Sequence, residues 1–258
     1  MDNIAFINYL IKYFGNKVLN VLDEKEEGVS INSSKIETYN LANEATLDKC
    51  TDCIATRYRQ DLPFWINNFS NKKIMIIAQD AGKGAEDQKI NTVFDMHSFH
   101  LNEEQYINKH RTHHKYVDLF KKISGKTDFL EDLYFTDIIK CAFSSDKAIK
   151  SNSCLCSKDI FREIDFVKPK SIILMGTQAK SVFTELMNQN KREMKLIQET
   201  STQINSRQSI KFFHMKTDCF DVFFMPHFAG NLHISDKFKN DFLKFKDNCC
   251  SYINKSIA

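Results

Sequence analysis

Four short runs of uninterrupted apolar, β-branched or aromatic residues set the limits on this fold: Lys73–Asp80 (KIMIIAQD), Leu133–Cys141 (LYFTDIIKC), Ser171–Gly176 (SIILMG) and Val222–His227 (VFFMPH). A strand with one wet face alternates apolar and polar residues, whereas a strand covered on both faces has no reason to alternate. All four are therefore read as strands of a sheet buried between helices. The stretches between them have helical period. Asp159–Val167 puts Ile160, Phe161, Ile164 and Val167 on one face before Pro169 stops it. Thr177–Gln189 does the same with Ala179, Val182, Phe183 and Leu186, and Asp236–Ile253 with Phe238, Phe242, Phe245 and Tyr252. Strand and helix in alternation predict a three-layer α/β/α sandwich with a central four-stranded parallel sheet, spanning residues 50–258. Residues 1–49 are read as a helical extension, with helices over Ile4–Leu22 and Ile36–Asp48. The polar, Gln- and Ser-rich stretch Asn190–Ser209 is read as an exposed loop.

The formal charge of +3 is unevenly spread. Residues 1–49 hold five basic and eight acidic side chains, and the remainder holds 31 basic and 25 acidic. A mildly basic body suits a polyanion such as nucleic acid, without singling one out. The opening MDNIAFINYLIKYF has early charges and lacks a small-residue cleavage site, and no apolar run approaches the length that spans a bilayer. The expectation is an intracellular, prokaryote-like cytoplasmic protein that makes no membrane contact and acts as a monomer.

In a parallel sheet, ligands sit outside the carboxyl ends of the strands. The residues expected there are Gln79-Asp80-Ala81-Gly82, Thr136-Asp137, Gly176-Thr177 and Pro226-His227. Eight cysteines in an intracellular chain invite a search for metal spacing, because stable disulfides are uncommon there. Cys50-x2-Cys53 is a close thiolate pair, and fourteen residues separate Cys141 from Cys156. Four thiolates in two pairs can close a tetrahedral zinc site or hold a cubane iron–sulfur cluster. On spacing alone Cys154 competes with Cys156 for the fourth place. Cys219, Cys249 and Cys250 are read as ordinary thiols.

The segment Tyr134–Gly176 resembles the central block of the iron–sulfur uracil-DNA glycosylases, in which a strand ending in T-N-x-x-K-C is followed by about fourteen residues, a cysteine, a helix, and a strand after R/K-P-K. From Cys156 to Gly176 the likeness runs without a gap, and it selects Cys156 over Cys154. IIAQDAGKGAED (Ile76–Asp87) is similar to the superfamily's water-activating loop, with Ala78 and Ala81 in place of the usual Gly and Pro. FFMPHFAGNL (Phe223–Leu232) is similar to its H-P-S motif, with His227 in register and Phe228-Ala229 in place of Pro-Ser. The likeness extends over roughly Leu47–Leu232, with an insertion around Glu103–Lys115.

The resemblance implies a divergent member of the iron–sulfur branch. It implies a uracil-DNA glycosylase-like fold, a structural 4Fe–4S cluster on Cys50, Cys53, Cys141 and Cys156 (zinc being the alternative), and DNA containing a damaged base as the partner. Base excision repair is the process implied. Asp80 would stabilise the sugar cation and orient the attacking water, and His227 would hydrogen-bond the departing base. Gln79, Phe94 and Asp137 would line the base pocket, and Leu232 would be the wedge that fills the gap left by the flipped base. Each has a plainer reading: a helix N-cap for Asp80, a core histidine for His227, and core packing for Phe94 and Leu232. The family carries Asn where this chain has Asp137. An amide both donates and accepts, whereas an ionised carboxylate only accepts, so Asp137 suits a base edge that offers donors, or else a protonated carboxyl. The rival function is a non-catalytic nucleic-acid-binding or sensing module that keeps the fold. A glycosidase of free nucleosides is a third.

Overall fold

The computed structural model describes residues 3–25, 28–37, 55–80, 91–109, 114–143, 155–228 and 234–257. Helix α1 (Asn3–Phe14) buries Phe6, Tyr9, Leu10, Tyr13 and Phe14, the spacing of one apolar helical face. Phe6 stacks on Phe69 at 3.9 Å between centroids and meets Trp65 edge-on, so α1 shares its core with the rest of the chain. A 3-10 turn (Asn16–Val21) leads into a hairpin of β1 (Leu22–Lys25) and β2 (Gly28–Ile31), then α2 (Ser33–Glu37). Helix was expected to run to Leu22. The hairpin after it was not expected, and the Trp65 indole N–H pins it by donating to the Val29 carbonyl at 2.6 Å.

Strand β3 (Ala55–Leu62) precedes β4 (Ile74–Asp80), β5 (Asn91–Thr92) and three helices, α3 (Met96–Leu101), α4 (Glu103–Lys109) and α5 (His114–Ser124). Next come β6 (Leu133–Ile139), β7 (Cys141–Phe143), α6 (Leu155–Lys158), α7 (Ile160–Val167), β8 (Ser171–Met175) and α8 (Thr177–Gln189). The chain continues through β9 (Lys195–Gln203), β10 (Ser209–Lys216), β11 (Asp221–Met225) and α9 (Lys239–Ile257). Helix α7 ends as its sequence predicts. Lys168 adopts a left-handed conformation (φ 49°), its N–H returns to the Ile164 carbonyl, and Pro169 follows.

The central sheet has six strands in the order β6-β4-β8-β11-β10-β9. The first four are the four apolar runs, mutually parallel and fully or nearly fully buried. The sheet is therefore mixed, and larger than the four-stranded parallel sheet expected. Strands β10 and β9 extend it antiparallel, and nearly half of the predicted loop Asn190–Ser209 is strand β9. That strand is polar because it is the sheet's edge, half-exposed along its length, and only its pairing with β10 makes it a strand. A second correction concerns β6. It stops at Ile139, the chain bends at Lys140, and Cys141 starts β7 in a separate three-stranded sheet, β5-β3-β7.

Candidate active site

The sheet order sets the site. The carboxyl ends of β6, β4, β8 and β11 lie side by side, neighbouring strands being about 4.8 Å apart. Asp137 pairs with Ala78 and Asp80 with Ile139 across β6 and β4, so both acids belong to adjacent strand ends. Gln79, partly buried, lies between Ala78 and Asp80. On β8 and β11 the ladder closes at Met175–Met225, and the Gly176 N–H still donates to the Met225 carbonyl at 2.8 Å. Two residues further on stands His227.

His227 and Gly176 are fitted to each other. Gly176 is the residue before α8, with φ 89° and ψ 165°, a conformation that favours glycine. A β-carbon added there would come within 2.3 Å of both Cδ2 and Nε2 of His227. The imidazole therefore occupies the space that any side chain at 176 would fill. Its Nδ1 shares a hydrogen bond with the Tyr116 hydroxyl at 3.1 Å, and the two rings meet nearly at right angles. Burial lowers the pKa of His227 from its ordinary value of 6.5, which favours the neutral ring. Burial also pushes the Tyr116 phenol up to about 12.

Phe94 stands beside this pair. Its ring lies 4.7 Å from Tyr116 and 5.4 Å from Phe120, between centroids, and also meets Phe135 edge-on. Phe94 and Asp95 both have left-handed backbone (φ 57° and 53°), which costs a bulky residue on the order of 1–3 kcal/mol. The surroundings hold this turn in place. The Tyr106 hydroxyl donates to the Phe94 carbonyl at 2.6 Å, the Ser98 hydroxyl donates to Asp95 Oδ1 at 2.9 Å, and the His97 N–H donates to Thr92 Oγ1 at 3.1 Å.

Asp137 is buried on the edge strand β6. Lys140 meets it at the backbone carbonyl, 2.7 Å away. The Lys140 ammonium also donates to Thr136 Oγ1 and pairs with Glu163 at 2.7 Å, both partners being fully buried. Glu163 in turn accepts from Tyr134 and from Tyr9, each at 2.8 Å.

Cys141 begins β7 and Cys156 lies in α6. Cys50 and Cys53 lie outside the described residues, as does Leu232. Among the described residues no group of three or more His, Cys, Asp or Glu could hold a metal ion. In the antiparallel β3–β7 ladder Ala55 pairs with Phe143 and Gln60 with Cys141. Cys219 is an exposed thiol, and Cys249 and Cys250 are buried ones.

Tyr116 and Tyr106 were not foreseen as site residues, and Gly176, expected at the strand ends, was not foreseen as the seat of the His227 ring. Tyr116 falls just after the insertion, where a tyrosine on an amphipathic helix reads as core. Only Gly176 carried a signal, as a glycine between an apolar strand and a helix.

Asp80 and Asp137 thus lie at the carboxyl ends of β4 and β6, and His227 lies two residues beyond the end of β11. The model of the uracil DNA glycosylase superfamily matches residues 66–248, and the chain belongs to that superfamily. No curated protein matches it. Membership points to DNA as the partner, to hydrolytic glycosylase activity and to DNA repair. No helix among the described residues is long and apolar enough to cross a membrane.

Proposed function

We propose that this chain is a monofunctional DNA glycosylase of the iron–sulfur branch, which flips a damaged, deaminated base out of the duplex and hydrolyses its N-glycosidic bond. The observation that carries the reading is His227, half-buried and packed against Gly176 just past the end of β11 with its Nδ1 on Tyr116, two strands from the end of β4 where Asp80 stands.

Base excision needs the base out of the stack before any bond breaks. As the C1′–N bond lengthens, its electron pair moves to the base and the sugar becomes cation-like. Asp80 supplies the negative charge facing the sugar and receives the proton of the water whose oxygen bonds C1′. His227 serves the other end. When the Tyr116 hydroxyl donates to Nδ1, the neutral ring carries its proton on Nε2, which donates to the carbonyl of the departing base. A preorganised donor of this kind contributes about 10²–10³ in rate. Phe94 stacks on the flipped base, Gln79 flanks it, Asp137 reads its edge, and Leu232 takes its place in the duplex.

Cys50, Cys53, Cys141 and Cys156 would hold a 4Fe–4S cluster. These residues would thereby tie the segment before β3 to β7 and α6, a structural role, since hydrolysis needs no electrons.

The test is an excision assay on oligonucleotides, each carrying one uracil, hypoxanthine, xanthine or oxidised base, in single- and double-stranded form. Abasic sites from at least one deaminated base, abolished by Asp80→Asn, are the expected result. Tight binding without cleavage of any lesion would instead favour the non-catalytic module.

A further inference from the structure

The buried Lys140–Glu163 pair has a feature that hydrolysis does not explain. Taking both charges out of water costs several kcal/mol per ion, and such pairs are weak evidence for stability alone. Their better-attested use is to specify geometry. Here all three ammonium N–H groups have acceptors: Thr136 Oγ1, the Asp137 carbonyl and Glu163 Oε2.

The Asp137 carbonyl is the informative partner. Strand β6 is the sheet's edge. Phe135, two residues earlier, turns its N–H and C=O outward, where both pair with Phe64. Backbone direction repeats every second residue in a strand, so the Asp137 carbonyl also faces outward. Lys140 occupies the place a neighbouring strand would take and fixes the peptide plane from which the Asp137 side chain departs.

Glu163 is held from a second direction. Its Oε2 accepts from both Lys140 and the Tyr9 hydroxyl, while Tyr134 takes Oε1. Burial, reinforced by the Glu163 charge, raises the Tyr9 phenol well above its ordinary value, so it remains a donor. Tyr9 lies on α1, outside the matched residues 66–248. The same helix is anchored to Asp159 by Lys12 and Tyr13.

We infer that Tyr9 is a positioning residue for base selection, acting through Glu163 and Lys140 on the Asp137 peptide; this rests on the reading of Asp137 as part of the base pocket. The N-terminal helix then belongs to the specificity apparatus and is more than a cover for the core. Without the hydroxyl, Glu163 Oε2 keeps one partner instead of two, and the ammonium is free to settle differently against the Asp137 carbonyl.

Two measurements on the full chain test this, comparing wild type with Tyr9→Phe and Lys12→Met. Lys12→Met removes an anchor of the same helix but leaves the Glu163 network whole. Hydrogen exchange over residues 133–140 should quicken in Tyr9→Phe alone, with β8 and β11 at wild-type rates. On the lesion panel, the ratio of kcat/KM between the best and second-best base should fall on the order of tenfold in Tyr9→Phe, as loss of a hydrogen bond to a charged group allows. In Lys12→Met that ratio should hold. Wild-type exchange and selectivity in Tyr9→Phe would overturn the inference, and so would equal changes in both variants, which would make helix docking the cause. If wild type cleaves no lesion, the glycosylase reading fails, while exchange at β6 still decides whether Tyr9 positions the Asp137 peptide.

Discussion

The imidazole of His227 lies so close over Gly176 that a β-carbon at 176 would come within 2.3 Å of its Cδ2 and Nε2 atoms. Glycine is thus required twice at this position, by its φ of 89° and by the ring. Gly176→Ala must strain the turn before α8 or displace His227. We expect a stability loss of at least about 1 kcal/mol from the backbone conformation. Single-turnover excision should fall by about 10²–10³, matching His227→Ala. Urea unfolding and rapid-quench assays on both variants separate the two effects. An alanine enzyme that cuts at the wild-type rate would show that the ring position does not matter.

Tyr116 makes a prediction about pH. The folded pKa of His227 is depressed by burial, so below the ordinary 6.5 the unfolded chain binds a proton that the folded ring resists. Its contribution to stability is therefore complete above 6.5 and declines as pH falls through 6.5 toward the lower folded value. Urea midpoints measured across that window should fall with acid in wild type and fall less in His227→Asn. Excision should persist below pH 6.5, since the donor is the neutral ring. Tyr116→Phe keeps the ring's packing but frees Nδ1 from its partner, letting the proton settle on either nitrogen. It should lower kcat more than it raises KM. An unaltered kcat would remove Tyr116 from the mechanism.

The parts of the fold legible in the sequence were those whose burial is symmetric. Strands β4, β6, β8 and β11 are covered on both faces and read as continuous apolar runs, and α7 and α8 carry a single apolar face. The hairpin of β9 and β10 was illegible for the opposite reason. One of its faces is wet, so its polar composition matches a loop, and only cross-strand pairing distinguishes it. The positions of Asp80, Asp137 and His227 at or near strand ends were legible because the apolar runs mark where those strands stop. Tyr116 and Tyr9 reach the site region from helices far away in sequence, and nothing local marks a tyrosine as a partner of His227 or Glu163.

The cysteine assignment predicts a spectroscopic pattern. Cys53→Ser, Cys141→Ser and Cys156→Ser should each lose the broad visible absorbance of a 4Fe–4S protein purified without oxygen. Cys154→Ser should keep it, although Cys154 lies only two residues from Cys156. Cys219→Ser should be silent, as an exposed thiol on the β10–β11 turn. Iron and zinc analysis of the same samples decides the metal. Stoichiometric zinc in a colourless wild type would replace the cluster with a structural zinc site.

Asp137 carries the prediction about substrate. Its carboxylate stands on the buried edge strand, on a peptide whose carbonyl Lys140 holds. An ionised carboxylate offers acceptors only, and facing the O4 carbonyl of uracil it sets lone pairs against lone pairs. A pocket built this way favours a base that presents N–H groups at that edge. Asp137→Asn restores a group that can donate to one carbonyl while accepting from the ring N–H. It should raise uracil excision relative to the wild-type enzyme's preferred base, by as much as about 10⁴ where the mismatch is fully buried. The substitution removes neither the Lys140 contact, which goes to the backbone, nor the Glu163 network, so folding should be little affected. Competition between two labelled oligonucleotides in one reaction measures the ratio directly. An unchanged ratio would place the reading of the base edge elsewhere in the pocket.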